Sequence, residues 1–358
     1  RWAAHARLTE AHDELKHSSR CNCQDAIPVL LRLMLSETFA WQRIDPMAAF
    51  LALAVVLPTA LALPPNFQQA LPKGHPGGRI NGDDVRCWDL AQDTELPERC
   101  DHFLGSPKAQ RVVDLNAYSA RGFSQHGADG LLWAAFETLG ATDKYYVEFG
   151  SQRGCVTNTR WLRERCGWRG VLLDGRRENA SIGLSKAVIG AHNAVEIFRS
   201  HGVPEAFDLL SVDIDDQDWH VWRALAAAYR PRVVVIEAVY NYPDDLVSPI
   251  VVEDAARASH FGDGFDCGGR QVATHSATAR AMERLGVALN YTLVHAGLPD
   301  MYFVRNDALA AVAPRAFAHQ GEDTLGLMRK PEYLVPLPAD CLAKVHAMGF
   351  RGAAHLLQ

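Results

Sequence analysis

Tyr145-Tyr-Val-Glu-Phe-Gly-Ser-Gln-Arg-Gly154 decides the fold. Its first five residues are apolar or aromatic around a single acid and read as a short buried strand. Gly150 to Gly154 is a tight turn. Cys155 to Cys166 then places Cys155, Leu162 and Cys166 at helical spacing and closes on Gly167. Gly170-Val-Leu-Leu-Asp174 reads as a second strand. Strand, turn, helix and strand in that order form a βαβ unit, which brings the two strands parallel.

The same alternation extends in both directions. Upstream, Ala128 to Gly140 carries Leu131, Leu132, Ala135, Phe136 and Leu139 on one helical face. Downstream, Asn193–Ser200 reads as a helix, and Phe207–Val212 as an apolar strand ending in Asp213-Ile-Asp215. Trp219–Tyr229 reads as a helix and Arg232-Val-Val-Val-Ile-Glu237 as a strongly β-branched strand. Thr274–Leu285 reads as a helix, and Tyr291–His295 with Met301–Val304 as a closing pair of strands. The expected class is α/β: a Rossmann-like, mostly parallel sheet with helices on both faces. Strands buried on both sides read as continuous apolar runs, as these do. Ligands of such sheets sit beyond the C-terminal strand ends. The candidate functional residues there are Glu148, Asp174, Asp213, Asp215 and Glu237.

Gly150 and Gly154 give the turn the freedom to fold back and admit a ligand near the following helix. Asp174 ends the next strand, where a carboxylate accepts hydrogen bonds from ribose hydroxyls. This combination predicts an adenosine-containing cofactor. Glu148 would repel a pyrophosphate and suits the ammonium of S-adenosylmethionine. Asp213 and Asp215, two apart on a strand, converge on one side. With Glu237, and Asn241 just beyond it, they suit a divalent cation or a general base. Asp218 is expected to cap the Trp219 helix. His220, His275 and His295 have no zinc spacing and read as structural or solvated residues. Cys155 and Cys166 read as core thiols.

Several of these stretches resemble FkbM-type methyltransferases. They are Ser124-Gln-His-Gly-Ala-Asp-Gly130, Tyr146-Val-Glu-Phe-Gly150 with Gly154, Asn158-Thr159, Leu162, Gly167-Trp-Arg-Gly170, Ser211-Val-Asp-Ile-Asp215 and Val235-Ile-Glu237. The resemblance covers roughly 115–305. It implies a class I, S-adenosylmethionine-dependent methyltransferase acting on oxygens of sugars or other small molecules. By position, Glu148, Gly150 and Gly154 would hold the methionine part, Asp174 the ribose, and Asp213 and Asp215 would lie near the reacting centre. Two departures stand out. The family often has Glu where this chain has Asp174, and Asp244–Val272, with its Cys267-Gly-Gly-Arg270, is poorly matched and suits a substrate lid.

The whole chain has 358 residues, 48% apolar and 22% charged, with a formal net charge of −6. That composition excludes a disordered, collagen-like or polytopic membrane protein, and it offers no basic surplus for nucleic acid. Met47–Leu63 is an uncharged apolar run with Ala60-Leu-Ala62 near its end. It reads as a signal peptide over 47–62 starting at Met47, with a membrane anchor or a buried helix as alternatives. Residues 1–46 would be an upstream extension. They mix six basic and six acidic residues, unlike a transit peptide. Residues 63–114 read as a linker or stalk, 115–305 as the methyltransferase-like domain and 306–358 as a C-terminal extension.

These readings place the protein in the secretory lumen, secreted or anchored once in the membrane, where Cys87 and Cys100 could pair. The partner would be a small-molecule or glycan acceptor. Two other functions fit the same residues. One is a lumenal, metal-dependent glycosyltransferase using Asp213-Ile-Asp215. The other is a non-catalytic binding module.

Overall fold

β-Branched and aromatic runs build one sheet, and its connections decide where a ligand sits. The computed structural model describes residues 112–240, 242–249, 264–274, 276–297, 299–323 and 335–358. The chain divides into two units, Arg1–Asp83 and Asp84–Gln358, and every described residue belongs to the second. The expected extension, signal peptide and nearly all of the stalk lie outside the described residues, as do Asn241 and His275. Among the described residues, no helix is long and apolar enough to cross a membrane.

The parallel strands are β1 (Tyr145–Phe149), β2 (Arg169–Asp174), β3 (Leu184–Lys186), β4 (Ala206–Val212) and β5 (Arg230–Glu237). After a separate hairpin, β6 (Phe265–Cys267) and β7 (Arg270–Val272), come β8 (Tyr291–Ala296) and β9 (Asp300–Arg305). The seven-stranded sheet runs β3-β2-β1-β4-β5-β9-β8, with β9 antiparallel to both of its neighbours. The dinucleotide-binding sheet has the same order for its first five strands, but a parallel sixth. Here the reversed β9 takes that place. The fold is the expected Rossmann-like α/β type. The chain leaves β1 toward β2 and later returns to β4 on the other side, so the crevice for a ligand opens between β1 and β4.

Alternation along the strands sorts side chains into two cores. Tyr146, Leu172, Leu209, Val233, Val235, Tyr302 and Val304 face α1 (Ala128–Leu139) and α2 (Arg160–Arg165). The expected α1 stripe of Leu131, Leu132, Ala135, Phe136 and Leu139 is wholly buried there. The Phe136 ring meets Trp168 edge-on at 4.6 Å. Burying such a side chain stabilises by about 2 kcal/mol. Val147, Phe149, Leu210, Val234, Ile236 and Phe303 face α3 (Ala194–Ser200), α4 (Asp218–Leu225) and α5 (Ala279–Ala288).

A third, smaller core forms beyond β5. It joins Val239, Tyr242, Leu246, Cys267 and Val272 to Phe350 and to Cys341 and Val345 of α7 (Ala339–Ala347), which follows α6 (Asn306–Ala310). Gly268 and Gly269, at φ 66° and 85°, make the tight turn between β6 and β7. A positive φ at both positions is what a two-residue hairpin of this twist requires. A disulfide between Cys267 and Cys341 ties the hairpin to α7. Phe317 and Ala316 enter the first core, on the α1 and α2 side, and Val113 bridges to Phe317. The described part of 306–358 is therefore built into the same body as the sheet.

Three expectations need correction. The helix expected over Cys155–Cys166 is confined to Arg160–Arg165. The residues before it form turns, held by a bond from Arg160 Nη1 to the Cys155 carbonyl (2.8 Å) and by the Glu148 carboxylate. Cys155 therefore does not stand at a helix N-terminus. Cys155 and Cys166 are both disulfide-bonded, not free core thiols. The short β3 was not foreseen, since its three residues carry too little periodicity to register.

Candidate functional site

The β1–α2 loop is drawn against the end of β4. Gly150 has φ 67°, and a Cβ on it would lie 1.7 Å from the Asp213 carbonyl oxygen. Only glycine permits that crossing, which stands at the β1–β4 crevice. Gly154 also has positive φ, but a Cβ there would strike Ile182 Cδ1 at 2.3 Å. Its lack of a side chain leaves room for the segment after β2.

Glu148 is buried and turned onto its own loop. Its Oε1 accepts from the Asn158 N–H (2.7 Å), and its Oε2 accepts from the Thr159 N–H (3.1 Å) and the Thr159 hydroxyl. Burial raises its pKa to about 7, with those hydrogen bonds pulling the other way. The N–H groups of the two residues leading into α2 are therefore engaged by an internal carboxylate. Both oxygens of Glu148 are thus engaged by its own loop. Asn158 Nδ2 in turn donates to Ser211 Oγ (3.2 Å), and the Asn158 side chain bonds Asp300.

Asp174 ends β2, half-buried. Its Oδ1 accepts from the Arg176 and Arg177 N–H groups (2.8 and 2.9 Å), closing a turn. Its Oδ2 has no protein partner among the described residues.

On the β4–β5–β9 side, the sheet register lines up three acids. Val212 pairs with Ile236, which sets Asp213 beside Glu237, and Glu237 pairs directly with Asp300. Residues in register on neighbouring strands share a face and stand about 4.8 Å apart. This face is that of Ser211, Val235 and Tyr302. Asp213 keeps solvent-accessible surface, yet protein surrounds it closely enough that desolvation is the main cause of its raised pKa, about 7. The Asp300 and Asp215 charges push in the same direction, while a side-chain hydrogen bond from Glu237 opposes them. Burial, then Asp213 and the other acids, push Glu237 up to about 10. Asp300 is raised to about 7 by burial and by Glu148. Glu237 thus holds a proton and donates it toward Asp213.

Asp215 and Asp216 both adopt φ 55°, in the left-handed region. The chain has left the strand at that point, so the two-residue rule that would make Asp213 and Asp215 converge does not apply. The proposed metal set Asp213, Asp215 and Glu237 is not gathered to within 4.8 Å. Among the described residues only Cys267, Asp340 and Cys341 form such a set, and the two sulfurs there are joined in the disulfide. Asp218 is fully buried at the first position of α4. It accepts from the Ile214 N–H (3.0 Å) and from Ser276 Oγ (3.1 Å), a structural role close to the expected cap. His220 bonds the Ser248 carbonyl (2.7 Å), and burial pushes the His295 pKa down to about 4. Asp129, in the resembling stretch Ser124–Gly130, accepts on Oδ2 from the N–H groups of Gly122, Phe123 and Ser124 and from the Ser124 hydroxyl. That part of the resemblance therefore clasps the loop entering α1.

With the site laid out, comparison with solved structures adds a similarity. The chain is similar to the solved structure of the mitomycin 7-O-methyltransferase MmcR, at 18% identity and a TM-score of 0.22. The match covers 48% of this chain and 50% of that one. The chain thus spans about half the length of the solved protein it matches. No protein-family model matches the chain, and no curated protein matches it in sequence. The fold reading rests on the strand order and the reversed β9.

Sequence reasoning missed Asp300, Tyr240 and the bridging side chain of Asn158. Asp300 had a usable signal. A reversed strand begins at the edge where parallel strands end, so the residue opening Met301–Val304 belongs among the strand-end candidates. Tyr240 reads as one more apolar residue after β5, and nothing local marks it.

Proposed function

We propose that the chain is an S-adenosylmethionine-dependent methyltransferase acting on a hydroxyl of a sugar or another small molecule. One observation carries this reading. The Glu148 carboxylate takes the N–H groups of Asn158 and Thr159 and so sets a negative charge at the entry to α2, where a dinucleotide sheet seats its pyrophosphate. The crevice therefore suits a nucleoside cofactor without phosphate, and Asp174 Oδ2 is available for its ribose. The tight Gly150 turn would lie along the cofactor. When bound, S-adenosylmethionine supplies an electrophilic methyl on a sulfonium.

The residues of the chain do the rest. The loop held by Glu148 and Asn158 fixes the crevice wall, so that the reacting atoms meet in one geometry. Asp213, with a pKa of about 7, is placed to take the proton of the acceptor hydroxyl. Glu237 keeps its own proton and steadies the Asp213 carboxylate through their hydrogen bond. No step is assigned to a divalent cation, because the expected ligands are not assembled. The disulfide bonding of Cys155, Cys166, Cys267 and Cys341 favours an oxidising compartment, consistent with a signal peptide over 47–62 and a secretory location.

Isothermal calorimetry of the full chain with S-adenosylmethionine tests the reading. Asp174→Ala removes a charged hydrogen-bond acceptor, worth about 1.5–3 kcal/mol, or about 10- to 100-fold in affinity. Unchanged affinity in that variant would remove Asp174 from the cofactor site. Thermal stabilisation by a UDP-sugar with Mn²⁺, and none by S-adenosylmethionine, would favour the glycosyltransferase instead.

A further inference from the structure

We infer that the acid row Asp213–Glu237–Asp300 binds a positively charged nitrogen of the acceptor, so that the acceptor is an amino sugar or another amine-bearing polyol. The inference rests on the methyltransferase reading only in naming the bound molecule as the acceptor. The row is geometric: three neighbouring strands bring three acids to one level on one face. Like charges side by side on a sheet repel, and buried acids ordinarily have a cationic partner. Asp300 is buried and Glu237 half-buried without such a partner, and Asp213 stands exposed at the end of the row. Among the described residues the ion pairs are Arg160–Glu164, Arg163–Glu164, Arg232–Asp208, Arg284–Asp245, Arg305–Asp307 and those of His319, and none reaches the row.

A second observation points to a missing partner. The Tyr240 side chain is 5% exposed, and its hydroxyl has no hydrogen-bond partner, although Asp300 and Glu237 act on it electrostatically. Glu237 Oε2 is likewise buried and unpartnered. Orphaned polar atoms within electrostatic reach of the same acids indicate a group that the protein alone does not supply. A protonated primary amine brings one positive charge and three N–H donors, one for each acid. A carboxylated or phosphorylated acceptor would be repelled, and a plain hydroxyl would leave the charge uncompensated.

The row also lies away from the cofactor side. Glu237 and Asp300 stand three and four strands from the Asp174 strand, about 14 and 19 Å at the usual spacing. The third core with its disulfide follows directly on β5 and would wall the acceptor in.

The test uses the full chain in calorimetry, with glucosamine, N-acetylglucosamine, glucuronate, Mg²⁺ and S-adenosylmethionine as separate titrants. Glucosamine is expected to bind at least tenfold more tightly than N-acetylglucosamine and to release protons into the buffer, and glucuronate to show no binding. Asp300→Asn should weaken glucosamine at least tenfold and leave S-adenosylmethionine within twofold. Tyr240→Phe, which keeps the ring packing, should weaken glucosamine severalfold. Equal binding of the two sugars, binding of neither, or saturation of the row by Mg²⁺ with loss of glucosamine binding would overturn the inference. So would a loss of S-adenosylmethionine affinity in Asp300→Asn as large as that of glucosamine, which would assign the row to the cofactor. If glucosamine binds and S-adenosylmethionine does not, the methyltransferase reading falls while the cation site stands.

Discussion

Gly150→Ala isolates the contact that holds the site together, and Gly167→Ala is its natural control. Both glycines have nearly the same backbone angle, φ 67° and 68°. An alanine in that conformation is strained by about 1–2 kcal/mol. At Gly167 a new Cβ meets nothing within 4 Å, so strain should be the whole effect. At Gly150 the Cβ would sit 1.7 Å from the Asp213 carbonyl oxygen and 2.8 Å from its carbonyl carbon. Both are backbone atoms at the end of a central strand and cannot rotate away. Relieving such an overlap costs about a further 1–3 kcal/mol. Urea unfolding of the two variants should differ by about 2 kcal/mol, which is about 1 M in midpoint for a slope of about 2 kcal/mol per molar. Cofactor affinity should fall in Gly150→Ala, because the loop must move off Asp213, and should persist in Gly167→Ala. If both variants lose the same stability and bind S-adenosylmethionine equally well, the close crossing of the β1 loop over β4 is wrong.

Two other outcomes follow from the same structure. Glu148, Asp213, Asp218 and Asp300 have folded pKa values raised to about 7. The folded chain therefore binds more protons than the unfolded one between the ordinary carboxyl range and about pH 7. Ligand-free stability should be greatest below that window and fall as pH rises through 7. Urea midpoints at pH 5 and pH 7.5 check the sign, and Asp300→Asn should flatten the slope. The Cys267–Cys341 bridge spans 74 residues of sequence. Replacing both cysteines by Ser should cost about 3–4 kcal/mol by loss of the chain constraint. A double variant as stable as the parent would show that the third core holds without its staple.

The sequence by itself determined the class of the fold, because strand and helix periodicity are local. The apolar stripe of α1 and the runs of β1, β2, β4 and β5 can be read without knowing what they touch. It also placed the acids at the strand ends, since in a parallel sheet those positions follow from chain direction alone. Helix limits were less legible. The Cys155–Cys166 helix shrank to Arg160–Arg165 because a distant carboxylate on β1 and the Arg160 side chain hold the preceding turns. Only the tertiary structure decided what each acid does. Glu148 is spent on its own loop, Asp218 on the Ile214 N–H and the Ser276 hydroxyl, and Asp215 leaves the strand in a left-handed turn. Asp300 joins Asp213 and Glu237 because an antiparallel strand enters the sheet beside β5. The physical reason is the range of the interaction. Side-chain periodicity repeats within a few residues, whereas register, desolvation and the partners of a carboxylate are set by strands that meet only once the chain has folded.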